Sequence, residues 1–151
     1  MKKNILFFDD EEYVSSYMIS NLEENYGWKE EKEIKFVSTI DKLLKELNNE
    51  EIVYDLFVLD VMIPNPLDNL KEHFSQEEWR ILEESDGRNR GIGLAKRIRR
   101  MPKYNKVPIL FLTAKPSISI PESDRNYTAF INKPASPSEI SKTMNKLLKN
   151  L

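Results

Sequence analysis

Residues 54–64 read YDLFVLDVMIP, and within them Leu56, Phe57, Val58 and Leu59 run together with no polar residue between them. A strand with one wet face alternates apolar and polar side chains. An unalternating run predicts a strand buried on both faces, like the centre of a parallel sheet covered by helices on both sides. In such sheets the working groups lie beyond the carboxyl ends of the strands, where the chain splays apart into a crevice. Asp60 closes the run. An aspartate at that point suits chemistry, and it suits a cap or turn equally well.

Ile5-Leu6-Phe7-Phe8 is a second unalternating run, and it ends in Asp9-Asp10-Glu11-Glu12. Glu11 and Glu12 are explained as first-turn acids facing the positive end of a helix dipole. Asp9 and Asp10 are less easily explained, because two carboxylates at one strand end repel each other unless a cation or a lysine sits between them. The helix that follows carries Val14, Met18, Leu22 and Tyr26 at four-residue spacing and stops near Gly27. A short strand is predicted over 34–37. Ser38 with Asp41 caps a helix bearing Ile40, Leu43, Leu44 and Leu47. Strand, helix, strand, helix, strand favours a parallel sheet with right-handed crossovers.

A polar stretch, 65–90, then interrupts the pattern. It holds seven acidic and four basic residues and the single histidine, His73, read as a solvated loop residue rather than a phosphohistidine relay. Ser75-Gln76-Glu77-Glu78 has the form of a capping box, so a short helix is expected over 76–84 that packs Trp79 on the domain, with Phe74, Ile81 and Leu82 the other candidates for packing. Gly91-Ile92-Gly93 opens another helix through Arg100. It lacks a third glycine and follows no strand, so it is not a dinucleotide loop. Residues 88–106 contain eight basic residues and no acidic one, read first as a solvated helix face, second as a dock for an acidic protein and a distant third as a nucleic-acid contact. A fourth buried strand over 107–112 ends at Thr113. Residues 115–125, with Pro116 and Pro121, are poor helix material. A fifth strand over 128–132 ends in Lys133-Pro134, and Ser136-Pro137-Ser138-Glu139 starts a last helix whose inward stripe is Ile140, Met144, Leu147 and Leu148.

The 151 residues, 40% hydrophobic and 32% charged, fit one domain with one core. With no cysteine, disulfides and thiolate metal sites are excluded. The apolar start is too short for a signal peptide or membrane span, and a net charge of -2 lacks the basicity of a dedicated nucleic-acid binder. A soluble, cytoplasmic protein acting on neither membrane nor nucleic acid is expected.

Four strand ends thus carry Asp9 and Asp10, Asp60, Thr113 and Lys133, all at one edge of a parallel sheet. Three carboxylates supply hard oxygen ligands for octahedral Mg²⁺. A hydroxyl and an ammonium facing them supply donors for a transferring phosphoryl group. On these residues, in Phe7-Phe8-Asp9-Asp10-Glu11, Leu59-Asp60-Val61-Met62-Ile63-Pro64, Phe111-Leu112-Thr113-Ala114 and Asn132-Lys133-Pro134, the chain resembles the CheY-like receiver domains of two-component response regulators. The resemblance implies a flavodoxin-like doubly wound α/β fold with five parallel strands in the order 2-1-3-4-5. It implies that Asp60 accepts a phosphoryl group from a histidine kinase or histidine phosphotransfer protein. Asp10, Asp60 and the Met62 carbonyl would ligate Mg²⁺, Asp9 would act through metal-bound water, and Thr113 and Lys133 would hold the phosphoryl oxygens. The Lys133-Pro134 bond would be cis, and Phe130 matches the switch aromatic. Met62 and Lys115 occupy the positions that tune hydrolysis in that family, so slow autodephosphorylation is expected.

Two departures stand out. Residues 65–90 form an insertion after the third strand, and the helix between strands four and five is short or degenerate. The expectation is a single receiver domain over 1–151, without an output domain, that signals by docking to a downstream protein and is no enzyme beyond assisting its own phosphorylation and dephosphorylation. The alternative is a phosphorylation-independent interaction module on the same fold. An aspartyl-phosphate hydrolase would want an acid where Met62 stands, and a flavin phosphate would be repelled by the acids at 9–12.

Overall fold

The computed structural model describes residues 1–63, 67, 69–114 and 118–149, without the side chains of Ser85 and Asp86. Five strands, β1 (Lys3–Phe8), β2 (Lys32–Val37), β3 (Leu56–Asp60), β4 (Ile109–Thr113) and β5 (Thr128–Asn132), form one parallel sheet in the order 2-1-3-4-5. Every residue of β3 and β4 is buried, as the unalternating runs require. The two faces divide the same strands by parity. Leu6, Phe8, Phe57, Leu59, Ile109 and Phe111 point into one core; Ile5, Phe7, Leu56, Val58, Leu110 and Leu112 point into the other.

The second core is closed by α1 (Glu12–Asn25), α2 (Trp28–Glu31) and α6 (Pro137–Lys149). Here the expected stripe of α1 is corrected. Val14 is 60% and Tyr26 40% exposed, and the helix instead buries Ser15 and Leu22, with Met18 and Ile19 packed against the core. Four-residue spacing drifts around a helix of 3.6 residues per turn, so the four positions do not share a face. Trp28 is fully buried in the short α2 and donates to the Ser141 hydroxyl of α6 (3.2 Å).

The first core is closed by α3 (Ile40–Leu47), α4 (Gln76–Glu83) and α5 (Arg90–Arg99). Ile40, Leu43, Leu44 and Leu47 are all buried as expected, but the cap of α3 is Thr39, not Ser38: its side chain accepts from the Lys42 N–H (3.4 Å). The helix expected within the insertion exists. Ser75 and Glu78 close a full capping box, Leu82 and Phe74 are buried in the domain core, and Trp79 is only partly buried against it. Between β4 and β5, residues 118–127 contain a single 3-10 turn, Glu122–Asp124, in place of a helix.

The basic run is the solvent-facing surface the sequence suggested, with Arg88, Lys96, Arg100, Lys103 and Lys106 exposed and Arg90, Arg97 and Arg99 partly buried, but several of its members also make specific bonds. Glu78, 5% exposed along its side chain, receives Arg100 at 2.8 and 3.1 Å; Arg97 donates to the His73 carbonyl (2.7 Å); Arg99 reaches the Val107 carbonyl and Thr128 hydroxyl (both 2.7 Å). Lys96 pairs with Glu77 at 3.3 Å. Much of this charge ties the insertion and β5 to α5.

Candidate functional site

The carboxyl ends of β1, β3, β4 and β5 lie along one edge of the sheet because these strands are parallel and adjacent in that order, with Phe8 of β1 opposite Leu59, Asp60 opposite Leu112 of β4, and Thr113 opposite Asn132 of β5. The residue after β1 is Asp9, the last of β3 is Asp60, and the one after β5 is Lys133. Carboxylate oxygens of Asp9, Asp10 and Asp60 all lie within 4.8 Å of one another. Lys133 Nζ donates to Asp9 Oδ2 (3.0 Å) and to Asp60 Oδ2 (3.2 Å). The remaining oxygens are held by backbone: Asp9 Oδ1 accepts from the Glu11 N–H (2.9 Å) and Asp60 Oδ1 from the Met62 N–H (3.1 Å).

Charge is crowded here. Burial first, and then the negative charge of Asp9, push the Asp60 carboxyl up to about 7, against the opposing pull of Lys133. Asp10 is also raised, by burial and by its hydrogen bond and repulsion with Asp9. Burial works against the charge on Lys133, but Asp60 and Asp9 outweigh it and hold its ammonium above the usual lysine range. Three acids with one lysine are a site still short of positive charge, and their hard oxygens fit a divalent cation such as Mg²⁺.

Asp10, Asp60 and Lys133 open onto a cavity of about 290 Å³ whose wall is completed by Glu11, Met62, Ile63, Gly87, Arg88 and Ala114. Met62 is 38% exposed on its wall. Thr113 is fully buried at the same edge, one residue back from the wall that Ala114 forms, and its carbonyl accepts from the Lys133 N–H (2.8 Å). Phe130 is half-buried against the first core and pairs with Phe111 across the sheet. The Lys133-Pro134 peptide is cis. Pro64 and Lys115, named from the sequence, lie outside the described residues. Sequence reasoning missed Arg88 and Glu11 as cavity residues. The glycines flanking Arg88 at 87 and 91 were the available signal, since they permit close backbone approach.

No protein-family model matches the chain, and no curated protein matches its sequence. Solved structures do match. The receiver domain of a Francisella response regulator superposes with a TM-score of 0.64 at 20% identity, covering 98% of both chains. The chemotaxis response regulator CheY4 of Vibrio cholerae gives 0.65 at 18% identity, covering 97% of this chain and 99% of the other. The receiver domain of the Pseudomonas aeruginosa sensor histidine kinase PA1611, which holds a magnesium ion in its active-site cleft, gives 0.64 at 15% identity over 99% of each chain. Identities this low speak for architecture, and with the strand order 2-1-3-4-5 they establish that the chain has the flavodoxin-like fold of CheY-like response regulator receivers.

Proposed function

We propose that this chain is a phosphoacceptor signalling domain in which Asp60 receives a phosphoryl group from a histidine kinase or histidine phosphotransfer protein. The observation that carries this reading is the convergence of Asp9, Asp10 and Asp60 within 4.8 Å, with Lys133 bonded to the acceptor, at the strand ends of a receiver fold. One Asp60 oxygen attacks phosphorus. The donor's bond to phosphorus breaks, the electron pair stays on the donor's leaving atom, which takes up any proton it needs from solvent, and an acyl phosphate remains on Asp60. Asp9, Asp10, Asp60 and the Met62 carbonyl would hold Mg²⁺, whose charge offsets that of the acids and the incoming phosphoryl oxygens.

Lys133 already touches Asp60 and is positioned to follow the transferred oxygens. The Thr113 hydroxyl is assigned a phosphoryl oxygen and Phe130 the readout of the phosphorylated state to a downstream protein. Domain 1–151 acts as the signalling unit with 65–90 as its insertion. Among the described residues no helix is long and apolar enough to cross a membrane.

Incubation with a small phosphodonor and Mg²⁺ should add one acid-stable, base-labile phosphoryl group, read by mass spectrometry. Asp60→Asn should abolish it, as should excess chelator. Label retained in either case defeats the assignment.

A further inference from the structure

The insertion rejoins the sheet directly against the loop that follows Asp60. Ile63 N–H donates to the Gly87 carbonyl (3.0 Å), Gly91 N–H donates to the Val61 carbonyl (3.0 Å), and Arg90 Nη1 donates to the Ile63 carbonyl (2.9 Å). Both glycines are required by the closeness of this approach. A Cβ at Gly87, whose φ is +92°, would collide with the Ile63 carbonyl, and one at Gly91 with the Asp60 carbonyl and Val61 Cα. Arg88 is thereby fixed between two anchors on the acceptor loop.

The other arginines of the basic run, and Lys96, are occupied. Arg90, Arg97 and Arg99 bond backbone carbonyls, and Lys96 and Arg100 pair with Glu77 and Glu78. Arg88 is exposed, makes no hydrogen bond or ion pair with any described residue, and lines the cavity that holds Asp60, Asp10 and Lys133. That cavity has more acid than base, so it repels the dianionic donor it is read as accepting. A guanidinium on its wall answers that repulsion, because its planar fork matches two phosphoryl oxygens at once.

We propose that Arg88 is a phosphodonor-binding residue supplied by the insertion: its guanidinium holds non-bridging oxygens of the incoming phosphoryl group, in addition to Lys133. This rests on the phosphoacceptor reading of Asp60. Arg88 exchanges no proton; the bond made is Asp60 oxygen to phosphorus, and the bond broken is phosphorus to the leaving atom of the donor.

The test is the concentration dependence of Asp60 labelling by acetyl phosphate with saturating Mg²⁺, in the parent, Arg88→Ala and Arg88→Lys, at low and high salt. Arg88→Ala should raise the half-saturating donor concentration roughly 5- to 20-fold, the scale of a partly exposed charge-assisted contact. The maximal rate should change less. Arg88→Lys should recover part of the loss, Arg88→Ala should flatten the salt dependence, and the melting temperature and the Mg²⁺ requirement should stay put. Equal half-saturation in parent and Arg88→Ala overturns the proposal while leaving the acceptor role of Asp60 intact. So does a loss shared by Arg88→Lys and accompanied by a lower melting temperature, which marks a structural role. A parent that takes no label on Asp60 at any donor concentration defeats the phosphoacceptor reading, and this proposal with it.

Discussion

Asp60 is held in an environment that disfavours its charge, and that has a consequence for stability without metal. Its carboxyl is raised from the ordinary 3.8 to about 7 by burial and Asp9. Between those values the folded protein keeps a proton that the unfolded chain has released, so stability falls as pH rises through that window. Asp60→Asn removes the term. In chelator, the variant's melting temperature should exceed the parent's by little at about pH 5 and by more at about pH 8, at roughly 2–4 °C per kcal/mol for a domain of this size. A gap independent of pH counts against the assigned environment. The neighbouring Met62 sets a second expectation. Its exposed thioether offers no strong donor or acceptor to orient an attacking water. Met62→Asn should therefore shorten the acyl-phosphate lifetime several-fold, followed by decay of the label after the donor is removed; an unchanged or longer lifetime refutes it. At this scale the sequence was highly legible for the acids and lysine, because strand ends in a parallel sheet converge by topology alone. Arg88 was missed: the flanking glycines signal a close backbone approach, but where that approach is made depends on how the long segment 65–90 closes.

Among the elements, α4 shows what a capping box does when its glutamate has a second duty. Glu78 accepts from the Ser75 N–H (2.9 Å) and also receives Arg100 from α5. Burial opposes its charge, but the Arg100 hydrogen bonds and the Ser75 N–H outweigh it and hold the carboxyl below the usual glutamate range. A depressed pKa contributes stability above the unfolded value that is lost as pH falls through the folded one. Glu78→Ala should cost about 1–3 kcal/mol, less than a fully buried pair because Arg100 is half-exposed and regains water. Denaturant unfolding at neutral pH measures it, and the gap to the parent should close in acid. The helix start at Ser75 was legible because capping boxes are local chemistry. The partner of Glu78 was not, because Arg100 lies 22 residues away and meets it only after α4 and α5 pack. The misread face of α1 has another origin: a strict four-residue spacing does not define one face of a helix with 3.6 residues per turn.

For the whole molecule, the segment around α4 is part of the core. Leu82 is fully buried and Phe74 nearly so, and Leu82 packs against Gly93 of α5 closely enough that a Cβ there would lie 3.2 Å from its side chain. Replacing 65–90 with a short glycine-serine link should therefore uncover apolar surface and destabilise the fold. Leu82→Ala by itself should cost about 2–5 kcal/mol, read from denaturant unfolding, where a large-to-small core substitution leaves a cavity. A link variant as stable as the parent would refute this. The parallel sheet covered on both faces was readable from unalternating runs, and its strand order from the family resemblance, whereas the polar composition of 65–90, seven acids and four bases, masked its few buried anchors.

The hydrogen bonds from Ile63 to Gly87 and from Gly91 to Val61 also join two regions in time. Each bond has one end in the acceptor loop and one in the segment 87–91 that returns into α5, so neither amide can exchange its hydrogen with solvent without the other segment yielding. Protection at Ile63 and Gly91 should rise and fall together, as one cooperative opening unit, while amides in the middle of β3 exchange only on global unfolding. Two backbone amides thus serve as a native clock for how often the acceptor loop lets go of its neighbour.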